Sequence, residues 1–525
     1  MLGHAQEVCV QKQQASLFNQ KGGIGMSREQ QQGLFDGSTD IRDDLVEQVE
    51  KRKPKAARRC WQLWTSVAVS LVPMVVLSGM WIVWDLGLGG WNDGSMNGTP
   101  FMSYAGPIFP LTLEKRQDLI AASRSISFDF ARRSKEGLPI KEVRVQDVYV
   151  ITNPTKQELA VTAVYPFTGN FRYLSNMLPK ISVDQQPVQA TLHAGAYSGT
   201  FEDLRPSYKR RSANLDYLKS WKGYKALLKN GAYQKQALSP HSALDQQVTV
   251  YEFSDYKEPL DGYGAATQAI SFHIDPKKTT ILEYGFGGFT CDENGYLHYS
   301  YFVPDDTRRY SRTKMLIVIG EDIGEYTLQR YEDSDCDAGK ELEGVFASIT
   351  RYGEELSNLI DRLAAVFLTE NNEDSRILEY VSQEMLGGCA TQLLYESQPL
   401  SPRGTSRYEC GNLIELLMDV YQQDRVMYLS FPVTIPARES VTVAAGMYKE
   451  ASVDYPSSGS KNVNLRGYDI VTVLGSNLRF EGQTVELLNA DNTEIVRQNL
   501  GADPQNGITQ VVLDTATEHY YMDIR

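Results

Sequence analysis

An uncharged run of 25 residues, Cys60 to Trp84, constrains this chain more than any other stretch. A helix rises about 1.5 Å per residue, and roughly 20 apolar residues cross the hydrocarbon core of a bilayer. The run is therefore long enough to span with some tilt, and it is the only one of its kind in the sequence. Trp61 and Trp64 mark one end and Trp81 and Trp84 the other, the belt that indole rings form at the two membrane interfaces. Pro73 lies mid-span, where a bilayer tolerates a kinked helix. The expectation is one transmembrane helix with the lipid bilayer as a partner; the alternative is a buried core helix.

Charge on the flanks sets the orientation. Lys51, Arg52, Lys53, Lys55, Arg58 and Arg59 precede the run, whereas residues 85–104 contain Asp85 and Asp93 and no Lys or Arg. The positive-inside rule then puts the N-terminus in the cytoplasm and the C-terminal domain outside the plasma membrane. A secretory signal peptide fits less well, because 59 residues precede the run and no A-x-A-like cleavage site follows Leu77-Ser78-Gly79.

The first 59 residues hold ten Lys or Arg against eight Asp or Glu, near +2, so a chain of net charge −14 carries about −16 beyond them. Phosphate backbones need clustered basic charge, so nucleic acid is excluded as the partner of an acidic exterior domain. Cys291, Cys336, Cys389 and Cys410 lie on the outer side. An even number in an oxidising compartment permits two disulfides in any of three pairings, with buried free thiols as the alternative.

Residues 1–59 read as a cytoplasmic tail, mostly disordered, with Met26 offering a second start. Within it, residues 40–50 form a short amphipathic helix: Asp40 is a good N-cap, and Ile41, Leu45, Val46 and Val49 share one face. So short a helix is marginal alone, and its apolar face needs a protein or a membrane surface. Residues 85–106 are a Gly/Asn/Ser linker.

Beyond the linker the fold class reads as mainly β with inserted helices (α+β), built as β-sandwich-like modules. Ile126, Phe128 and Phe130 alternate, and so do Val143 and Val145, then Val148 and Val150 across an expected bulge. Further strands are expected at Gln247–Phe253, Gln268–Ile274, Thr279–Phe286, Tyr296–Val303 and Lys314–Ile319, with a hairpin turn at Asp292–Gly295. A helix is expected at Leu215–Leu228, and three helical stripes between 353 and 424. The boundaries that follow are a first module at 107–350, a helical insertion at 351–424 and a second module at 425–525. Phe272–Leu282 and Val433–Val443 look alike, each a strand, a Pro turn and a return strand.

No motif supplies chemistry, and no cofactor, metal or catalytic residue is expected. Gly195-Ala-Tyr-Ser198-Gly199 has the wrong spacing for a nucleophile elbow, and the six histidines are scattered singly. Asp333-Ser-Asp335-Cys-Asp337 alternates hard donors, but an EF-hand loop needs Gly and Glu where Ala338 and Gly344 stand. Gly285-Phe-Gly287-Gly288 leads into a strand, with no helix N-terminus to hold a phosphate.

The sequence around Ile41-Arg-Asp-Asp-Leu-Val-Glu-Gln-Val-Glu, Val148-Tyr-Val-Ile-Thr-Asn-Pro-Thr with Val164-Tyr-Pro-Phe, and Tyr428–Val443 resembles a group of membrane-anchored extracytoplasmic proteins of Gram-positive gut bacteria. No activity carries over from that resemblance. The layout also resembles transmembrane anti-sigma factors, which implies a sigma factor or another regulator as the cytoplasmic partner, although the tail lacks their zinc-binding His/Cys pattern. The leading expectation is a non-enzymatic single-pass protein whose exterior domain binds or senses an extracellular ligand. The alternatives are an anchored structural or envelope-assembly protein with an inert tail, and an exterior hydrolase.

Overall fold

The computed structural model describes Phe101 to Arg525, leaving out 132–141, 196–200, 204–212, 216–219, 231–244, 255–265, 293, 304–312, 344–346, 372–376, 398–399 and 401–410. The expected tail helix at Ile41, Leu45, Val46 and Val49, the span with its tryptophans, and residues 85–100 of the linker lie outside the described residues. Among the described residues no helix is long and apolar enough to cross a membrane. They are mainly β, as the alternation predicts.

Ala121–Asp129 (β1), Glu142–Thr152 (β2) and Leu159–Gly169 (β3) come first, then the short strands Lys180–Val183 (β4) and Thr191–Ala194 (β5). Along β1, Ala122, Arg124, Ile126 and Phe128 are buried; along β2, Val143, Val145, Asp147, Tyr149 and Ile151 are. The expected bulge before Val148 is absent. Strand β2 keeps one phase throughout and exposes Val150, because the inward position after Val145 is filled by Asp147. An inward carboxylate looks like a slip of register when only hydropathy is read.

Helix Trp221–Asn230 (α1) begins six residues later than expected, since Leu215 ends the short strand Ala213–Leu215. The middle of the chain supplies Gln247–Ser254 (β6), Ala266–His273 (β7), Thr279–Tyr284 (β8), Gly288–Cys291 (β9), Tyr296–Val303 (β10), Lys314–Gly320 (β11), Tyr326–Tyr331 (β12) and Ser348–Glu355 (β13). They form two sheets, β8-β11-β6-β13 and β9-β10-β7-β12, the second extended by Glu341–Leu342. Between the sheets lies a core that includes Phe253, Ile270, Phe272, Tyr299 and Leu316.

Leu356–Asn371 (α2), Gln383–Ser397 (α3) and Leu413–Gln422 (α4) carry the three expected stripes. The Asn412 side chain caps α4 by accepting from the Glu415 amide at 2.8 Å. Leu359, Leu363, Leu386 and Leu416 of these helices share a core with Val250, Leu282 and Ile317, which point from the far face of the β8-β11-β6-β13 sheet. That sheet is covered on both faces, which explains the unbroken apolar run Met315–Ile319 in β11.

The chain closes with Arg425–Ile435 (β14), Ser440–Glu450 (β15), Arg466–Val471 (β16), Arg479–Leu488 (β17), Gln510–Val512 (β18) and His519–Ile524 (β19). Strand β14 pairs with β3 from Ile435 opposite Leu159 to Arg425 opposite Gly169, β15 pairs with β2, and β17 runs parallel beside β1. Strand pairing runs across the expected boundaries at 350 and 425. Strands β14, β15 and β17 join strands of the first β-rich stretch in a split pair of sheets, β16 and β19 belong to a separate three-stranded sheet, and residues 247–355 form a second, inserted pair. Strand partners hundreds of residues apart leave no trace in a local hydropathy pattern.

Both connections β2 to β3 and β14 to β15 cross between the two sheets of the split pair. Buried Asn153 staples the two corners, its Nδ2 donating to the carbonyls of Gln157, Ile435 and Pro436 at 2.8, 3.1 and 3.1 Å. The connection β7 to β8 crosses the inserted pair in the same way. The likeness between Phe272–Leu282 and Val433–Val443 thus reflects a shared task, carrying the chain from one sheet to the other.

Candidate functional site

Two places gather polar side chains that the strands hold away from bulk water. The first lies inside the split pair. Arg124, at an inward position of β1, donates from Nε and Nη2 to the two carboxylate oxygens of Asp147, both at 2.8 Å. Its Nη1 donates to the Val471 carbonyl at 2.6 Å and its Nη2 to the Phe109 carbonyl at 3.0 Å. Tyr149 and Tyr165 donate their hydroxyls to Asp147 Oδ2 at 2.7 and 3.0 Å, and the Leu111 amide donates to Tyr149 Oη at 2.9 Å. Burial disfavours the Arg124 cation, yet the adjoining Asp147 overrides it and raises the guanidinium pKa above its ordinary value. Every partner comes from the protein itself, so this cluster joins β1, β2, β3 and two backbone segments, and it leaves nothing for a ligand.

The second place is the outer face of the inserted pair. Ile270 and Phe272 of β7 and Leu297 and Tyr299 of β10 point into the core, so Thr267 and Ser271, with Tyr296, His298, Ser300 and Phe302, point outward. Register puts Ser271 opposite His298, Thr267 opposite Phe302 on one side and Tyr331 on the other, and Gly288 opposite Ser300. Small residues beside bulky ones leave a cleft of about 290 Å³, walled at one side by the turn that carries Asp335 and Cys336. A Cβ at Gly288 would come within 2.2 Å of Ser300 Oγ, so any larger residue there would have to turn the Ser300 hydroxyl away.

Within the cleft, Ser271 Oγ and His298 Nδ1 are 2.9 Å apart, and burial holds His298 below the usual imidazole range, so the ring is neutral at pH 7. Burial also pushes the Cys336 thiol up to about 12; the Ser300 hydrogen bond opposes this, while Asp333, Asp335 and Asp337 add to it. A thiol so protonated is no nucleophile at neutral pH. Thr267 is 2% exposed, lines the cleft, and its hydroxyl has no hydrogen-bond partner among the described residues. A buried hydroxyl left unpaired costs about 1–3 kcal/mol, and one that faces a cavity marks where a ligand or water completes it.

The residues singled out from sequence fall as follows. Cys291, Cys336 and Cys389 form no disulfide with one another, and Cys410 lies outside the described residues. Geometry explains why these three do not meet: Cys291 packs toward the core between the inserted sheets, Cys336 sits in the cleft outside them, and Cys389 is buried in α3 among the helices. In the acidic loop, Lys340 pairs with Asp333, and among the described residues no group of three or more His, Cys, Asp or Glu is placed to hold a metal ion. Trp221 stacks on His519 at 4.5 Å, and His519 in turn meets Asp469 at 2.6 Å, a structural use of both rings. His193 bonds Ser430 at 2.8 Å and stacks on Tyr428.

Three stretches that each lacked a motif's full spacing, Gly287-Gly288, His298 and Asp335-Cys336, line one cleft. Sequence reading passed over Thr267, Ser300 and Tyr331. One signal was present: the outward positions of β7 and β10 up to Phe302 carry Thr, Ser, His and Tyr but no Lys, Arg, Asp or Glu, whereas an ordinary solvated strand face is charged. Comparison with protein-family models, with curated proteins and with solved structures finds no match to the chain.

Proposed function

We propose that this chain is a single-pass membrane protein whose β-sandwich-like exterior modules bind a small polar ligand in the cleft of the inserted pair. One observation carries the reading: a cleft of about 290 Å³ lined by Thr267, whose buried hydroxyl has no partner among the described residues. The uncharged run Cys60–Trp84 and its basic flank support anchorage with the C-terminal part outside. Binding without turnover is favoured because the thiol is protonated and, among the described residues, no carboxylate orients His298 as a base for Ser271. The segment Ile41–Val49, whose sequence pattern is that of an amphipathic helix, is the element through which occupancy would reach a cytoplasmic regulator such as a sigma factor.

The test uses the full chain in lipid nanodiscs and a library of small polar compounds, read as shifts of the thermal midpoint. A ligand at 100 times its Kd stabilises by about 2.7 kcal/mol, enough to resolve. Thr290→Trp fills the cleft from its rim, and compounds that stabilise the natural chain are expected to leave this variant unmoved. Equal shifts in both would place binding elsewhere.

A further inference from the structure

The cleft is built to discriminate by charge and by hydroxyl chemistry. Resting on the binding reading above, we infer that its ligand is a neutral saccharide, one or two pyranose units held by their hydroxyl groups and one ring face. The walls decide against the other polar classes one at a time.

Anions find no counter-charge: none of the described lining residues is Lys or Arg, and His298 is neutral. The carboxylates of Asp333, Asp335 and Asp337 act on Cys336 in the wall, and although Lys340 pairs with Asp333 and Asp337, the turn stays net acidic and repels an anion. Organic cations fare little better. Asp335 is exposed at the mouth and screened by solvent, so it cannot offset the desolvation of an ammonium group lowered to the level of Thr267.

A sugar hydroxyl both donates and accepts, and the cleft offers groups of the same dual character. Thr267 Oγ1 lacks a partner, Ser300 carries a hydroxyl shared with Cys336, and Thr290 adds another at the rim. The neutral imidazole of His298 has Nδ1 engaged with Ser271, which leaves Nε2 for a ligand. Tyr296 and Phe302 line the cleft with aromatic carbon suited to the apolar side of a pyranose. They stand at opposite ends of the outward row on β10, about 20 Å apart at 3.4 Å per residue. The volume, at the low end for small-molecule sites, suits one or two sugar units rather than a long glycan.

The experiment titrates the full chain in lipid nanodiscs, free of glycoside detergent, with neutral probes: methyl glucoside, methyl galactoside, methyl mannoside, N-acetylglucosamine, maltose and cellobiose. Glucuronate, glucose 6-phosphate and choline serve as charged probes, with saturation-transfer NMR detecting binding and calorimetry measuring affinity. At least one neutral probe is expected to bind, with the charged probes at least tenfold weaker. Thr267→Val keeps the shape and removes the hydroxyl; it is expected to weaken that sugar about tenfold while the ligand-free thermal midpoint stays level or rises. Tyr296→Ala, at the rim and outside the core, is expected to lose binding in the same order and checks the result should the valine variant misfold. Preference for a charged probe would overturn the saccharide inference and leave a binding cleft standing. Unchanged sugar affinity in both variants would overturn the inference too. Silence from every probe would overturn the inference and the binding reading together.

Discussion

The interior of the split pair and the outer face of the inserted pair both hold polar side chains on strands, and they differ in how those side chains are satisfied. Around Asp147 each acceptor meets a donor from the protein: Arg124 twice, Tyr149 and Tyr165. Around Thr267 and Ser300 the chain stops short, leaving one hydroxyl unpaired beside open volume. A buried network that completes itself fixes one arrangement of the strands, and one left incomplete at a cavity is available to a partner. The contrast separates structure from function without any appeal to motif.

The sharpest way to break the comparison is to remove the acceptor from the complete network. Asp147→Ala leaves the Arg124 guanidinium buried without its counter-charge and is expected to cost about 3–5 kcal/mol in denaturant unfolding, enough to prevent folding of a marginal domain. A cost below about 1 kcal/mol would mean the network is dispensable. Tyr165→Phe withdraws a single donor from the same carboxylate and is expected to cost about 1–2 kcal/mol by the same measurement.

A pH titration separates the inserted pair's inner boundary from both places. Glu283, on β8 where the sheet meets α4, is pushed up to about 8, first by burial, with the Phe286 amide opposing and Glu415 adding to the rise. A carboxyl raised in the folded state holds its proton more tightly than the unfolded chain does. Its stabilisation is therefore complete below the ordinary carboxylate range and is lost as pH climbs to about 8. Stability should fall by up to about 1.4 kcal/mol per pH unit between pH 5 and 8, and Glu283→Gln should flatten that slope. Lys449, pushed down to about 8 by burial, responds above this window and in the opposite sense.

The smallest expected effect lies in the cleft itself. Thr267→Val is expected to leave the empty chain unchanged or more stable by up to about 1 kcal/mol, since it deletes a hydroxyl that bonds to nothing. A loss above about 1 kcal/mol would mean that Thr267 belongs to a complete network like that of Asp147, and the two regions would no longer differ.

Much of the β structure was legible because period two is a local property: β6 and β10 fall within a residue of where alternation places them. The helices were legible for the same reason, except where Leu215 was claimed by a strand. What could not be read was the inward Asp147, whose meaning depends on Arg124 two strand positions before Ile126, and the weaving of β14 and β15 into the first sheets. The cleft was hidden on the same grounds. Gly288, Ser300 and Thr267 become neighbours only through strand register, and no spacing along the chain announces them.

The most direct test of the binding role follows the His298 ring during a titration. With its Cε1–H resonance assigned by comparison with His298→Gln, the ligand giving the largest thermal shift is added to the natural chain and to Thr290→Trp. A saturable shift of the His298 signal in the natural chain alone is the expected result. A ligand that stabilises both proteins alike while the His298 signal stays in place would contradict the assignment of the cleft as the binding site.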